Sequence, residues 1–91
     1  MNSRWIFDED NFIQRELEGE FIVLNLKTEN YYTLDTTGSF IFGLLLEGKT
    51  TFEIEDAVSG KYKTVDQKII QKDTRNFIQQ LQTKKMIYAA R

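Results

Sequence analysis

The stretch of residues 19–48 carries two hydrophobic patterns of different period with no linker between them. Its first part contains two short runs, residues 20–26 and residues 30–34, that are rich in β-branched and aromatic side chains. The polar sequence Lys27-Thr-Glu-Asn30 separates these runs. Short runs of this composition around a polar turn predict a β-hairpin.

A helix is predicted directly after this hairpin. Asp35 and Thr36 offer side-chain oxygens that cap helix N-termini. The apolar residues behind them recur at helical spacing: Phe40, Ile41, Leu44 and Leu45. Gly48 follows at the position where a left-handed residue commonly ends a helix. The hairpin and the helix must therefore pack on each other, because neither buries its apolar face alone.

Length and composition limit the classes of protein that this chain can belong to. The 91 residues are expected to form one domain, residues 1–91, with a core shared among all its elements. A content of 41% hydrophobic and 29% charged residues is typical of folded globular proteins. No apolar run is long enough to span a bilayer and no signal segment is evident, so we expect a cytoplasmic protein without a membrane partner.

The residue types exclude most catalytic chemistry. The sequence contains no Cys and no His, which excludes disulfides, thiol catalysis, histidine acid–base chemistry and most transition-metal sites. It also lacks a glycine-rich phosphate loop. Three clustered acids, Glu53, Glu55 and Asp56, are interpreted as a solvated helix face and not as part of a cleft. We therefore expect no catalytic residues, no metal and no cofactor, and a protein that is not an enzyme.

The N-terminal part of the chain predicts an arm followed by a three-stranded meander. Residues 1–11 form the arm, and its Trp5 and Phe7 are expected to cover an open edge of the core. Phe12–Leu17 is the first predicted strand, and Gly19 lies in the turn that follows it. Because short turns connect them, the three strands are expected to pair antiparallel in sequence order. The first and the third are then the edge strands of the sheet. The third strand contains neither Pro nor Lys, which usually block pairing with another chain.

Two more helices are predicted after the first one along the chain. Each begins at a Thr-x-x-Glu or Thr-x-x-Gln capping box, Thr50 with Glu53 and Thr64 with Gln67. Gly60 is expected to end the second helix, and the third is expected over residues 65–84. The apolar tail Met86-Ile-Tyr88 is expected to pack back on the domain. The predicted class is α+β, with a three-stranded antiparallel sheet followed by three helices.

The third predicted helix presents three stripes along its length. Its core stripe consists of Ile70, Thr74, Phe77 and Leu81, with Ile78 at the margin. A second stripe on one flank consists of Ile69, Asp73, Asn76 and Gln80. A basic stripe on the far side consists of Lys68, Lys72 and Arg75.

The basic stripe permits a nucleic-acid hypothesis. Two helices joined by a tight turn, the second of them basic, resemble a helix-turn-helix. The same stripe is also compatible with a solvated helix face or with electrostatic steering of an acidic peptide. The net charge of −2 and the absence of a basic arm argue against DNA. A small winged-helix DNA-binding regulator is therefore the second functional hypothesis, and nucleic acid is not expected as a partner.

Several motifs resemble those of one family in their order and spacing. They are Gly19-Glu-x-Ile-Val-Leu-x-Leu-x-Thr, Tyr31-Tyr-x-Leu-Asp-x-x-Gly38, Leu44-Leu-Leu-x-Gly48, Asp73-x-x-x-Phe77-x-x-x-Leu81 and Met86-Ile87. Together they resemble the PqqD-like family, and the resemblance covers about residues 12–88. Its members are recognition elements for ribosomally synthesised and post-translationally modified peptides (RiPPs). The run of residues 34–48 is most similar to the stand-alone members from lasso-peptide clusters.

This resemblance implies a small fold like a winged helix-turn-helix, without catalytic activity. It implies that the leader segment of a precursor peptide binds as an added strand on the third strand and lies against the third helix. In lasso-peptide clusters, such a protein presents the leader to a cysteine-protease-type leader peptidase. The precursor then passes to an ATP-dependent macrolactam synthetase. A pathway chaperone that only holds another enzyme is a third hypothesis.

The residue pattern and the resemblance indicate the same groove, between the third strand and the flank of the third helix. Strand addition uses main-chain hydrogen bonds for affinity and side-chain pockets for specificity. The predicted peptide-binding residues are Tyr31, Tyr32, Thr33, Leu34, Ile69, Lys72, Asp73, Asn76, Phe77 and Gln80.

Overall fold

The computed structural model describes residues 3–90; Met1, Asn2 and Arg91 of the expected arm and domain lie outside the described residues. The elements in chain order are β1 (Trp5–Phe7), β2 (Phe12–Leu17), β3 (Glu20–Asn25), β4 (Tyr31–Thr33), α1 (Thr36–Leu46), α2 (Thr51–Lys61), α3 (Gln67–Thr83) and β5 (Ile87–Ala89). The predicted α+β class is confirmed, with a three-stranded antiparallel sheet followed by three helices. Within residues 3–90, no helix is long and apolar enough to cross a membrane.

The three-stranded sheet, here the main sheet, has the order β2-β3-β4. Val23 in the central strand lies opposite Gln14 of β2 and Tyr32 of β4. Phe21 and Val23 are buried on the face that packs on α1. Because side chains alternate along a strand, the neighbouring residues of β3 point to the other face. β4, which corresponds to the third predicted strand, lies at the edge of the sheet.

A second sheet joins the two ends of the domain. β1 pairs with β5 in antiparallel register, with Ile6 opposite Tyr88. Trp5 and Phe7 are half-buried and pack against the core, as expected for the arm. The indole Nε1 of Trp5 donates a hydrogen bond to the Thr51 hydroxyl at 3.0 Å. The pairing of β1 with β5 was not predicted, because strands of three residues at opposite ends of a sequence give no joint local signal.

Phe42 of α1 is the centre of the core. It is fully buried, and its ring contacts Phe7 of β1 at 5.6 Å and Phe21 of β3 at 5.0 Å between centroids. Both contacts are edge-to-face, an arrangement that aromatic quadrupoles favour. This one side chain therefore contacts both sheets.

Two of the predicted helix starts are confirmed. The Asp35 carboxylate accepts a hydrogen bond from the Gly38 N–H at 2.7 Å and caps α1. Thr50 and Glu53 form the predicted capping box of α2, with distances of 3.2 Å and 2.8 Å. Gly48 has a positive φ of 87° after α1, as a left-handed position requires.

Two predicted helix boundaries are wrong. Gly60 does not end α2, which continues to Lys61, because this glycine does not adopt a positive φ. α3 is capped by Asp66 and not by Thr64, since the Asp66 carboxylate accepts the Lys68 N–H at 3.0 Å. A carboxylate closer to the first helical turn replaces the predicted threonine cap.

The buried face of α3 is centred closer to Ile78 than predicted. Ile78 is 3% exposed and belongs to the core, whereas Phe77 is only half-buried. α3 packs against α2 and is paired with it through Arg75 and Glu55. Arg75 lies one helical turn before Ile78, so the face of α3 that carries both residues packs on α2. Phe77 lies beside that face, on the side of α3 that is nearer to α1.

Replacing the central ring is expected to be costly. Phe42→Ala should lower the free energy of unfolding by about 3–5 kcal/mol, from lost burial and the cavity left between two sheets. Leu46→Ala is the control, because Leu46 lies on the same helix and is 38% exposed. It should cost less than about 1 kcal/mol in the same urea titration. Equal losses for the two variants would contradict the central role of Phe42.

The α2 capping box gives an expected pH dependence. The backbone N–H of Thr50, with a smaller contribution from its side chain, lowers the pKa of Glu53 below its ordinary value of 4.5. A lowered pKa adds stability above the unfolded-state value, and that stability is lost as pH falls through the folded-state pKa. Glu53→Gln should thus be less stable than the natural protein at neutral pH, and the difference should shrink below pH 4.5. Urea titrations at several pH values across this range measure the difference in unfolding free energy between the two proteins. A difference that does not change with pH would have a cause other than the charge of Glu53.

Candidate functional site

The outer edge of β4 presents backbone groups that the main sheet does not use. The Leu34 N–H donates to the Phe21 carbonyl, and the Asn25 N–H donates to the Asn30 carbonyl. Hydrogen-bonded and non-bonded pairs alternate in an antiparallel ladder. Tyr31 and Thr33 are therefore non-bonded positions, and their N–H and C=O groups point away from β3. Among the described residues, no other element covers this edge.

The side chains of β4 divide between the two faces of the sheet. Tyr32 and Leu34 are half-buried and pack against the core. Tyr31 and Thr33 are exposed on the opposite face, Tyr31 by 69%. A strand added at this edge would thus have one set of side chains on the helical side of the sheet and the other on its outer side.

A cavity of about 290 Å³ opens beside the first turn of α1. It is lined by Asp35, Thr37, Gly38, Ile41, Val58, Tyr62, Val65, Ile69, Ile70, Asp73, Thr74 and Phe77. Ile69, Asp73 and Phe77 of the predicted peptide-binding set thus meet in one place. We call this space the α1–α3 cavity.

The cavity combines an apolar floor with carboxylates. Ile41, Val58 and Ile70 are buried and form part of the floor, whereas Ile69 is 52% exposed. The Asp35 carboxylate accepts the Gly38 N–H. For Asp73, the described residues provide no hydrogen bond or ion pair. The cavity can therefore receive an apolar side chain and offer a hydrogen-bond acceptor beside it.

Gly38 shapes the wall of the cavity. A Cβ atom at this position would lie only 3.0 Å from the Phe77 ring and 3.1 Å from the Asp35 carboxylate. The missing side chain is what allows the Phe77 ring to lie against the start of α1. Nearby, the Thr37 and Tyr62 hydroxyls are 3.1 Å apart and hydrogen-bonded, which joins α1 to the end of α2.

The other predicted residues of α3 lie outside the α1–α3 cavity. Asn76 and Gln80 line a separate shallow depression with Lys84. The Lys84 ammonium lies 5.7 Å from the centre of the Tyr32 ring, so this depression extends towards β4. Lys72 is exposed and lines neither space. The predicted set therefore divides into the β4 edge, the cavity, the depression and one peripheral lysine.

The basic stripe predicted on α3 is interrupted by an ion pair. The Arg75 guanidinium contacts the Glu55 carboxylate at 2.5 Å and 3.3 Å, and the Glu55 side chain is only 6% exposed. The hydrogen bond to Glu55 raises the pKa of Arg75 further. The interpretation of Glu55 as part of a solvated face is therefore wrong, because α3 covers it. Arg75 joins two helices, so it is less available to nucleic acid than the stripe implied.

Sequence reasoning missed most of the cavity lining. The missed residues come from the start of α1, from the end of α2 with the loop after it, and from the core side of α3: Asp35, Thr37, Gly38, Ile41, Val58, Tyr62, Val65, Ile70 and Thr74. The cavity forms where three helices meet, and hydrophobic periodicity does not encode how helices cross. A glycine early in a strongly apolar helix was the available local sign that another side chain approaches closely.

The chain is similar to known proteins in sequence and in fold. The family described as Coenzyme PQQ synthesis protein D (PqqD) matches residues 20–87. The structure of TbiB1 in complex with the TbiA(beta) leader peptide is 34% identical, with a TM-score of 0.81 over 93% of this chain and 100% of that chain. A lasso peptide synthetase B1 complexed with the leader peptide has a TM-score of 0.82 at 15% identity, over 93% and 98% of the two chains, a likeness of fold alone. No curated protein matches the sequence.

The ion pair between α2 and α3 is expected to contribute to stability and not to binding. Arg75→Gln leaves the buried Glu55 carboxylate without its cation, which should lower the thermal midpoint. Lys72→Gln is the matched control, because Lys72 is exposed on the same helix and has no ion pair among the described residues. Thermal unfolding followed by circular dichroism compares them, and an equal effect of both variants would contradict this assignment.

Proposed function

The chain belongs to the PqqD family, whose members are non-catalytic RiPP recognition elements, and from this premise we propose that it binds the leader segment of a ribosomally synthesised precursor peptide. The observation that carries the proposal is the open edge of β4 beside the α1–α3 cavity. The similarity to TbiB1, whose structure contains a leader peptide, supports it. The binding protein itself supplies no reaction step; its role is recognition and presentation.

In the proposed complex, the leader pairs with β4 and extends the main sheet to four strands. The outward N–H and C=O groups of Tyr31 and Thr33 supply the main-chain hydrogen bonds. These bonds are independent of the leader's side chains, so they contribute affinity with little sequence selectivity. Tyr32 and Leu34 bond to β3 instead, and their side chains form the border between the leader and the core.

Selectivity is proposed to come from α3. Alternate leader side chains point to the helical side of the sheet, where Ile69 and Phe77 offer apolar contacts. Asp73 is an acceptor for a leader N–H, hydroxyl or basic group. Asn76 and Gln80 lie further along the helix, where they are placed to contact a second leader side chain. Lys72 lies outside these contacts and would mainly increase the rate of association with an acidic leader.

We further propose that the pathway is a lasso-peptide pathway. The support is the run of residues 34–48, which resembles the stand-alone leader-binding members from those clusters. In this role, the protein presents the bound leader to a leader peptidase, and the precursor then passes to a macrolactam synthetase. A titration with the leader of the precursor encoded beside this protein tests the function directly.

The cavity contact is tested by Ile69→Asp. Placing a charge against an apolar leader side chain should weaken leader binding beyond detection, because the buried carboxylate has no partner. The fold should persist, since Ile69 is 52% exposed. Ile6→Asp is a matched control, because Ile6 is 41% exposed and lies on the small sheet. Calorimetric titration measures the affinity for the leader, and NMR spectra of the backbone amides verify that the variants are folded. The site would lie elsewhere if the folded Ile69→Asp variant bound the leader with full affinity. The same conclusion would follow if the amide chemical-shift changes caused by the leader were confined to β2.

The strand-addition contact is tested by Thr33→Pro. Proline removes an N–H that points away from β3, a position where edge strands accept it, so the main sheet should be retained. Leader binding should weaken by at least about tenfold, since a main-chain bond is lost and the ring obstructs pairing. Thr33→Ala is the control, because it removes the side chain but retains the N–H. Equal affinity of the folded Thr33→Pro and Thr33→Ala variants would exclude pairing at this position.

A further inference from the structure

The depression at the C-terminal end of α3 is rich in hydrogen-bond donors. It is lined by Asn76, Gln79, Gln80, Thr83 and Lys84, and we call it the Lys84 depression. Its neutral side chains carry amide or hydroxyl groups, and Lys84 supplies a positive charge. None of these lining residues carries a carboxylate, although the chain as a whole has more acidic than basic residues. The depression is therefore a local positive region in a negatively charged protein.

The ammonium group of Lys84 is not paired with a carboxylate. Within residues 3–90, no acidic side chain forms an ion pair with it. It lies instead 5.7 Å from the centre of the Tyr32 ring. Such a contact is weak for an exposed cation, and Lys84 is exposed. The ammonium group therefore has N–H donors left for a further partner.

The contact with Tyr32 places this ammonium group at the edge where the leader is proposed to bind. The Tyr32 side chain lies on the helical side of the main sheet and packs against the core. Residues directly opposite each other on paired strands point to the same face, with Cβ atoms about 5 Å apart. The leader residue opposite Tyr32 would therefore point to the helical side and lie beside the Tyr32 ring. Its side chain would be within reach of Lys84.

The chemistry of the Lys84 depression favours a carboxylate at that leader position. An ammonium group and primary amides donate hydrogen bonds, and a carboxylate accepts several of them at once. A basic side chain would meet the like charge of Lys84. An apolar side chain finds its contacts at the other end of α3, where Ile69 and Phe77 line the α1–α3 cavity. The two ends of the groove thus select different leader side chains.

We propose that Lys84 determines the specificity of the leader site by binding an acidic side chain, Asp or Glu, of the leader residue opposite Tyr32. Asn76 and Gln80 donate further hydrogen bonds to the same carboxylate from the two preceding turns of α3. Leader side chains that reach the depression and the α1–α3 cavity share one face of the added strand, so an even number of positions separates them. This inference rests on the proposed leader-binding function and specifies the charge of one leader residue.

The experiment uses the full chain and a synthetic peptide with the leader sequence of the precursor encoded beside it. Each Asp or Glu of the peptide is replaced in turn by Asn or Gln, and each peptide is titrated calorimetrically into the natural protein and into Lys84→Gln. Double-mutant cycles then measure the coupling between Lys84 and each leader carboxylate. Lys68→Gln is the matched control. Lys68 is also exposed on α3, but it lines neither the α1–α3 cavity nor the Lys84 depression.

Lys84→Gln is expected to lower the affinity for the natural leader about fivefold, the size of effect that a partly exposed ion pair produces. Replacing one particular leader acid should weaken binding to the natural protein by the same factor and leave binding to Lys84→Gln unchanged. Replacing any other leader acid should affect both proteins equally. Lys68→Gln should bind every peptide as the natural protein does. Circular dichroism verifies that both variants are folded.

Two results would overturn the role of Lys84. Natural leader affinity in the Lys84→Gln variant would remove this residue from the site. Equal losses for Lys84→Gln and Lys68→Gln, without coupling to a single leader acid, would reduce its contribution to general charge attraction. In both cases the natural protein still binds the leader, so the proposed function stands. A natural protein that does not bind the leader would contradict the proposed function itself, and this inference with it.

Discussion

The Phe42 ring lies where α1, the small sheet and the main sheet meet. It contacts Phe7 of the small sheet and Phe21 of the main sheet, so α1 lies at a fixed position relative to both. In a domain of this size the core is small, and few side chains can join all layers at once. The position of α1 in turn determines where its N-terminus lies, and that N-terminus borders the candidate site.

The candidate site follows from how closely α1 succeeds β4. Only Leu34 and Asp35 separate the two elements, and Asp35 caps the helix. The edge strand and the first helical turn are therefore held together, and Gly38 in that turn leaves room for the Phe77 ring of α3. A peptide paired with β4 would thus lie beside the cavity.

Local patterns predicted local structure well, and contacts between distant residues were predicted poorly. The bounds of β2 and the α2 capping box were correct because each depends on neighbouring residues. The pairing of β1 with β5 and the burial of Glu55 under Arg75 depend on how whole elements pack, which periodicity does not show. Of the site, the sequence indicated the edge strand and one flank of α3. It did not indicate the cavity, because three helices contribute its walls.

The small sheet has a consequence for the order in which the chain can fold during synthesis. β1 is made first, but its partner β5 follows every helix. Until β5 leaves the ribosome, Trp5 and Phe7 have no strand to hold them against the core, and one side of the Phe42 ring is uncovered. Closing this pairing spans almost the whole described chain and is therefore entropically late. The nascent main sheet and helices would pass through a stage with an exposed aromatic surface, which is the stage most open to capture by a chaperone.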